Sequence, residues 1–142
     1  MSSYQKFLVE LQRVPRWVFT LVTLLVILWL TLAPRPLGDN SPRLFPGADK
    51  VVHGIMFGFF TIMMLLDLQR SHHWERTPLF VALICAAISS ALGISIEFIQ
   101  LKMDIGRGFE IADMIADTVG SFTFAITWVY FQKFWLPKTT NK

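Results

Sequence analysis

Hydrophobic and polar positions divide the chain into four long apolar segments joined by short polar connections. The segments cover residues 17–33, 51–66, 78–100 and 111–136. A helix that spans a bilayer needs about 20 apolar residues; the last two segments exceed that length, and flanking residues extend the first two. The pattern therefore predicts an all-α, polytopic membrane protein with four transmembrane helices in a compact bundle, forming a single domain over residues 1–142.

Composition agrees with this pattern and excludes an ordinary soluble domain. Hydrophobic residues make up 54% of the chain and charged residues only 16%. The single cysteine, Cys85, lies within an apolar run and predicts neither a disulfide nor a metal site. No basic stripe interleaved with aromatic residues is present, so no nucleic-acid partner is expected. The predicted partner is the lipid bilayer, and the sequence indicates no particular protein partner.

The Lys and Arg residues predict the orientation in the membrane. Four spans place both termini on one side, together with the connection 67–77. The segments on that side carry eight Lys and Arg residues, against five on the opposite side. Because cytoplasmic segments are enriched in these residues, both termini are predicted to be cytoplasmic. No small-x-small cleavage site follows the first apolar segment, so a retained helix is favoured over a signal peptide.

The polar residues that interrupt the apolar segments are the main indication of function. With alternating helices, the start of the second segment, the end of the third and the start of the fourth meet on the outer side. The residues there are Asp49, Lys50, His53, Glu97, Gln100, Arg107, Glu110, Asp113 and Asp117. Ionisable groups at membrane depth are costly, so they usually face a bundle interior or a water-filled cavity and mark function. We therefore predict an outward-facing polar pocket.

Acids outnumber bases in this set, so at least one carboxyl is predicted to hold a proton. Glu97, with His53, is the candidate for acid–base catalysis. The predicted ligand-binding residues are Asp49, Lys50, Gln100, Arg107, Asp113 and Asp117. The alternative is a set of ion pairs that only fastens the helices, such as Lys50 with Glu97 and Arg107 with a carboxylate of the fourth segment.

A metal site is a weaker alternative. His53, Glu97, Asp113 and Asp117 offer nitrogen and oxygen ligands suited to zinc or manganese. No His-Glu-x-x-His or comparable local signature accompanies them. The sequence-based prediction is therefore that the protein binds no metal and no other cofactor. Nucleophilic catalysis is not predicted either, because no Ser-His-acid pattern singles out a serine.

The same polar residues carry a family resemblance. Three motifs follow in order: Asp49-Lys50-x-x-His53-x-x-x-Phe57, Glu97-x-x-Gln100, and Arg107-x-x-Glu110-x-x-Asp113-x-x-x-Asp117-x-x-Gly120. Together they resemble the VanZ-like family of small bacterial membrane proteins, with Asp117 at a position where Asn is expected more often. The resemblance implies a multi-pass protein of the bacterial cytoplasmic membrane. The member that names the family is linked to resistance to the glycopeptide antibiotic teicoplanin.

We therefore expect a membrane protein whose polar pocket binds or acts on a cell-envelope lipid or glycan precursor. One alternative is a small membrane-embedded hydrolase or acyl-transfer enzyme that uses Glu97 and His53. Another is a non-catalytic scaffold or accessory subunit whose polar residues only hold its helices together. Retained binding of a lipid favours the first hypothesis, and turnover that depends on Glu97 favours the second.

Overall fold

The computed structural model describes residues 3–34, 45–103 and 109–136, and its regular structure over these residues is all helical. Its five helices are α1 (Ser3–Arg13), α2 (Val18–Leu32), α3 (Ala48–Ser71), α4 (Leu79–Met103) and α5 (Ile111–Trp135). By length and composition, α3, α4 and α5 can each cross a membrane, and α1 with α2 forms a fourth, broken span bent by 68°. The predicted all-α polytopic membrane bundle is confirmed.

The second predicted segment is shorter than the helix that contains it. α3 continues through residues 67–71, which were predicted to begin the polar connection 67–77. That these residues lie outside a helix is wrong, because Leu68, Gln69 and Arg70 are good helix formers and the chain has no reason to break at the end of the apolar run. The helix ends at Ser71, and the following His73 and Trp74 have the positive φ angles of a turn.

Large apolar side chains cover the outside of the bundle. Leu25 on α2, Phe80 on α4 and Val119 on α5 are among the exposed apolar residues. Soluble monomers rarely expose contiguous apolar surface on this scale. In a bilayer the same side chains contact lipid, while every backbone polar group is satisfied within its own helix. The exposed apolar surface therefore agrees with a membrane location.

Helices α3 and α5 approach each other closely where two glycines face one another. A Cβ atom added to Gly120 would lie 2.6 Å from the Cα of Gly54, so the two backbones are in direct contact. In lipid, where burial of apolar surface hardly drives association, small residues let helices approach closely. This contact holds the starts of α3 and α5, which carry the predicted site residues, side by side.

A buried ion pair fastens the opposite end of the bundle to the bend between α1 and α2. Arg70 donates to Asp67 Oδ1 at 2.7 Å and to the backbone carbonyls of Leu11 and Pro15 at 2.5 and 3.1 Å. Asp67 Oδ2 accepts from the backbone N–H and the hydroxyl of Thr20 at 2.9 and 2.8 Å. The guanidinium thus satisfies carbonyls at and just beyond the end of α1, and the carboxylate caps the first turn of α2.

Both described ends of the chain lie at this same end of the bundle. The hydroxyl of Tyr4 in α1 donates to the backbone carbonyl of Trp135 in α5. Nearby, the indole N–H of Trp74 donates to the carbonyl of Leu8 at 3.3 Å. Helices α1 and α5 therefore have their outer ends on one side, as four alternating spans require.

Which side of the membrane this is stays a prediction from the charge distribution. In a Cys85→Ser background, we expect Phe45→Cys, just before α3, to react with a membrane-impermeant maleimide in intact cells. Glu75→Cys, between α3 and α4, is expected to react only after the cells are opened. Reaction at Glu75→Cys with protection at Phe45→Cys would show the opposite orientation.

Candidate functional site

The predicted polar residues meet where α3 and α5 begin and α4 ends. We call this set the acidic cluster: Asp49, Lys50, His53, Glu97, Glu110, Asp113 and Asp117. The Nζ atom of Lys50 lies 2.6 Å from Asp49 Oδ2 and 3.0 Å from Asp113 Oδ1, and it also contacts Glu110 Oε2. One ammonium group therefore joins the first turn of α3 to the start of α5.

His53 lies one helical turn further into the bundle than Asp49. Its Nδ1 is 3.0 Å from Oδ1 of Asp117, whose side chain is only 1% exposed. In the neutral ring, this contact assigns the proton to Nδ1 and leaves a lone pair on Nε2. The second oxygen of Asp117, Oδ2, is buried and has no hydrogen-bond partner within residues 3–34, 45–103 and 109–136. It lies over Gly93 of α4, where an added Cβ would be 2.9 Å from Asp117 Cγ.

Glu97 contributes the third helix, α4, to the acidic cluster. This residue is buried, and its Oε2 accepts the backbone N–H of Glu110 at 3.0 Å. One carboxylate oxygen from Glu97, one from Asp113 and one ring nitrogen of His53 lie within 4.8 Å of one another. Three different helices thus each direct a potential ligand atom into one small volume.

Three features of the predicted site differ from the structure or lie outside it. The predicted Lys50–Glu97 ion pair is wrong: among the described residues, Lys50 pairs with the three carboxylates at the start of α3 and α5. Gln100 Nε2 donates to the carbonyl of Thr31 at 2.8 Å and holds α4 against α2, so its role in ligand binding stays a prediction. Arg107 lies outside the described residues, and so does its predicted ion pair.

The described part of the acidic cluster is rich in negative charge. It contains five carboxylates, one ammonium group, which contacts three of them, and His53, which contacts a fourth. The side chains of Asp49 and Glu110 are 54% and 51% exposed and can be solvated, whereas those of Glu97, Asp113 and Asp117 are buried. Buried charge is costly unless it is paired, so the inner carboxylates need protons, a cation or a ligand with hydrogen-bond donors.

A second group of buried polar residues was not predicted from the sequence. Besides Asp67 and Arg70, it contains Gln132 of α5, whose Oε1 accepts from Gln69 Nε2 and from the N–H of Thr77, each at 2.8 Å. Gln132 Nε2 donates to the carbonyl of Thr77 at 2.9 Å. These contacts hold the α3–α4 connection against α5. The spacing of three between Asp67 and Arg70 on one helix is the signal that could have indicated the pair.

Comparison with known protein families matches this chain over nearly its whole length. The profile of the VanZ/LLP1 family matches residues 8–132, which include α2, α3, α4 and every residue of the acidic cluster. Neither a curated protein nor a solved structure gives a significant match. The family predicted from the three motifs is thereby confirmed, and the chain belongs to the VanZ/LLP1 family.

Proposed function

We propose that this membrane protein binds or acts on a cell-envelope lipid or glycan precursor through the acidic cluster. The observation that carries the proposal is the excess of carboxylate over cation among the described residues, where Asp117 Oδ2 is buried and has no hydrogen-bond partner. Glycan headgroups present many hydroxyl and amide N–H donors, and a hydrogen bond to a carboxylate is about twice as strong as one between neutral groups. A cluster rich in carboxylates therefore suits a glycan or amine headgroup.

The position of the acidic cluster supports a ligand that is anchored in the membrane. The cluster lies at one end of three membrane-spanning helices, and the apolar faces of those helices contact lipid. A lipid-linked headgroup would meet the half-exposed Asp49 and Glu110 first. The buried groups of Glu97 and His53 lie deeper, and they would contact the part of the headgroup that enters the bundle.

The contact between Asp117 and His53 favours hydrolysis or acyl transfer as a second candidate. A carboxylate on Nδ1 fixes the orientation of the ring and stabilises its protonated form, which is the arrangement that a general base needs. His53 would take a proton from an attacking water or hydroxyl, and Glu97 would return a proton to the leaving group. This candidate differs from simple binding because the ligand would be released chemically changed.

The proposal is tested by native mass spectrometry of the purified protein with a panel of envelope lipids that carry or lack a glycan. We expect a glycan-bearing lipid to be retained, and Glu97→Gln to weaken retention at least about tenfold, since a charge-assisted contact is worth roughly 1.5–3 kcal/mol. Glu10→Gln makes the same chemical change in α1, on an exposed side chain that pairs only with Arg13 among the described residues. It is expected to leave retention unchanged.

Each result of this experiment separates the candidates. A lipid recovered intact supports binding, whereas a product formed by the wild type but not by Glu97→Gln supports the enzyme. Both variants are first compared with the wild type by thermal melting, so that a loss of fold is recognised. If no lipid is retained and cells carrying Glu97→Gln keep wild-type susceptibility to teicoplanin, the scaffold function is favoured instead.

A further inference from the structure

We propose that His53, Glu97 and Asp113 bind one divalent transition-metal ion, with Zn²⁺ and Mn²⁺ as the best chemical fit, and that Asp117 positions the histidine for it. The inference rests on the proposed function and deepens it, because it concerns the same acidic cluster. A metal ion on His53 and Glu97 would replace the proton transfers that the second candidate assigns to these two residues. It departs from the sequence-based expectation of no metal, which rested on the lack of a local motif. Here the ligands come from three helices that are distant in the chain.

The distances among the three groups suit a single ion. One ring nitrogen of His53 and one oxygen each of Glu97 and Asp113 lie within 4.8 Å of one another. Bonds from Zn²⁺ to nitrogen and oxygen are about 2.0–2.2 Å, so in the tetrahedral geometry of zinc two ligand atoms lie ~3.3–3.6 Å apart. Side-chain rotations that move each atom by up to about 1 Å therefore bring the three atoms into one coordination sphere. The glycine contact between α3 and α5 keeps two of the three helices at this separation.

The pairing of His53 with Asp117 is the arrangement found around metal-bound histidines. Metal-ligating histidines usually donate their second ring N–H to a carboxylate or a carbonyl, which fixes the tautomer and the ring orientation. Nδ1 of His53 lies 3.0 Å from Asp117 Oδ1, so Nε2 is the nitrogen with a lone pair to offer. Asp117 is thus a positioning residue, and its buried carboxylate strengthens the donor character of the imidazole.

One buried carboxylate oxygen beside these groups supports a cation site. Among the described residues Asp117 Oδ2 has no hydrogen-bond partner, and it is directed at α4 over Gly93, one turn from Glu97. Asp113 Oδ1 is buried as well, and Lys50 Nζ lies 3.0 Å from it. Lone buried carboxylate oxygens are costly, and a divalent ion among the inner carboxylates offsets that cost electrostatically.

The carboxylate oxygens of a second acidic trio, Asp49, Glu110 and Asp113, also lie within 4.8 Å of one another, but this trio already binds a cationic side chain. The ammonium group of Lys50 already contacts all three of these carboxylates. This trio also lacks an imidazole, whose presence in the inner trio favours zinc or manganese over magnesium and calcium. The inner trio is therefore the metal site that the geometry favours, and the outer trio provides the matched control.

The test uses the whole protein, without added lipid, after a chelator has removed bound metal ions. Zn²⁺ binding is measured by calorimetry and Mn²⁺ binding by electron paramagnetic resonance. We expect one ion per chain. Loss of a ligand in His53→Gln or Glu97→Gln should weaken binding at least about tenfold, and Asp117→Asn should weaken it about 10–100-fold. Asp49→Asn, which alters only the outer trio, is expected to change the affinity less than about threefold.

A spectroscopic readout separates a ligand from a residue that only supports the fold. Electron spin-echo modulation of bound Mn²⁺ should show coupling to an imidazole nitrogen, and His53→Gln should abolish it. The experiment uses a His72→Gln/His73→Gln background, which removes the two histidines beyond the far end of α3. If His53→Gln does not fold, labelling His53 with the heavier nitrogen isotope in this background must change the modulation pattern.

Three results would overturn the inference: no saturable binding of either ion, no imidazole coupling, or equal losses in Asp49→Asn and His53→Gln. The proposed function can fail separately. Lipid retention by a protein that binds no metal would remove the metal site and leave that function intact. Metal binding without lipid retention would support the metal site and contradict lipid binding.

Discussion

Replacing Arg70 by alanine is expected to lower the free energy of unfolding by about 3–5 kcal/mol, because one partner of a buried ion pair is removed. The two side chains of the pair are 3% and 0% exposed, so Asp67 would be left charged in the interior without its cation, with only the two hydrogen bonds from Thr20. The carbonyls of Leu11 and Pro15 would lose their donor as well. The bend that joins α1 to α2 is therefore expected to loosen first.

The measurement is thermal or denaturant unfolding of the purified protein in one detergent. Arg70→Lys should recover only part of the loss, because an ammonium group lacks the planar fork that reaches a carboxylate and several carbonyls together. Arg76→Ala is the matched control: this arginine is exposed, and its removal is expected to change stability by no more than about 0.5 kcal/mol. Equal stabilities of Arg70→Ala and Arg76→Ala would contradict the structural role of the pair.

Replacing Gly120 by alanine is expected to cost about 3 kcal/mol or more, which is the upper part of the usual range for overpacking. The new Cβ would lie 2.6 Å from both the Cα and the carbonyl carbon of Gly54. Both atoms belong to the backbone, so no side chain can rotate away and the two helices must separate. Separation would also lengthen the contacts that Lys50 and His53 of α3 make with carboxylates of α5.

Gly54→Ala is the control for this prediction. Its added Cβ would be 3.2 Å from the carbonyl oxygen of Ala116, a contact that a small shift relieves. Alanine also favours the helix over glycine by up to about 1 kcal/mol, so the net change is expected to stay within about 1 kcal/mol. In the same detergent, the free energy of unfolding of Gly120→Ala should therefore be clearly lower than that of Gly54→Ala. The reverse ranking would mean that the two backbones do not meet at Gly120.

The membrane-spanning helices could be predicted from the sequence, because contact with lipid requires long apolar segments. The four apolar segments correspond to α2, α3, α4 and α5, whereas α1 was not predicted. Its apolar side chains are interrupted by Gln5, Lys6 and Glu10, and a short amphipathic stretch leaves no long apolar run to recognise. The break before α2 follows from Pro15, which cannot donate a backbone hydrogen bond.

The location of the site could be predicted from the sequence, but the ion pairs between its side chains could not. Alternating helices bring the start of α3 and α5 to the end of α4, whatever the details of packing. The partner of Lys50 depends on how far each helix is rotated about its own axis, which spacing alone does not determine. Hydropathy also does not distinguish a buried ion pair from solvated charges. The polarity of Asp67 and Arg70 therefore predicts a connection where the structure has a helix.

The shortness of α2 has a consequence for the bilayer around the protein. In the broken span that α2 forms with α1, α1 is bent away by 68°, and the 15 residues of α2 give a length of about 22 Å, against about 30 Å of hydrocarbon in a typical membrane. A helix shorter than the hydrocarbon core thins the lipid beside it. Gln100 is bonded to Thr31 near the end of α2, within one turn of Glu97. Lipid headgroups next to α2 are therefore expected to lie closer to the depth of Glu97. For the proposed lipid ligand, this hydrophobic mismatch would shorten the distance between the headgroup and the acidic cluster.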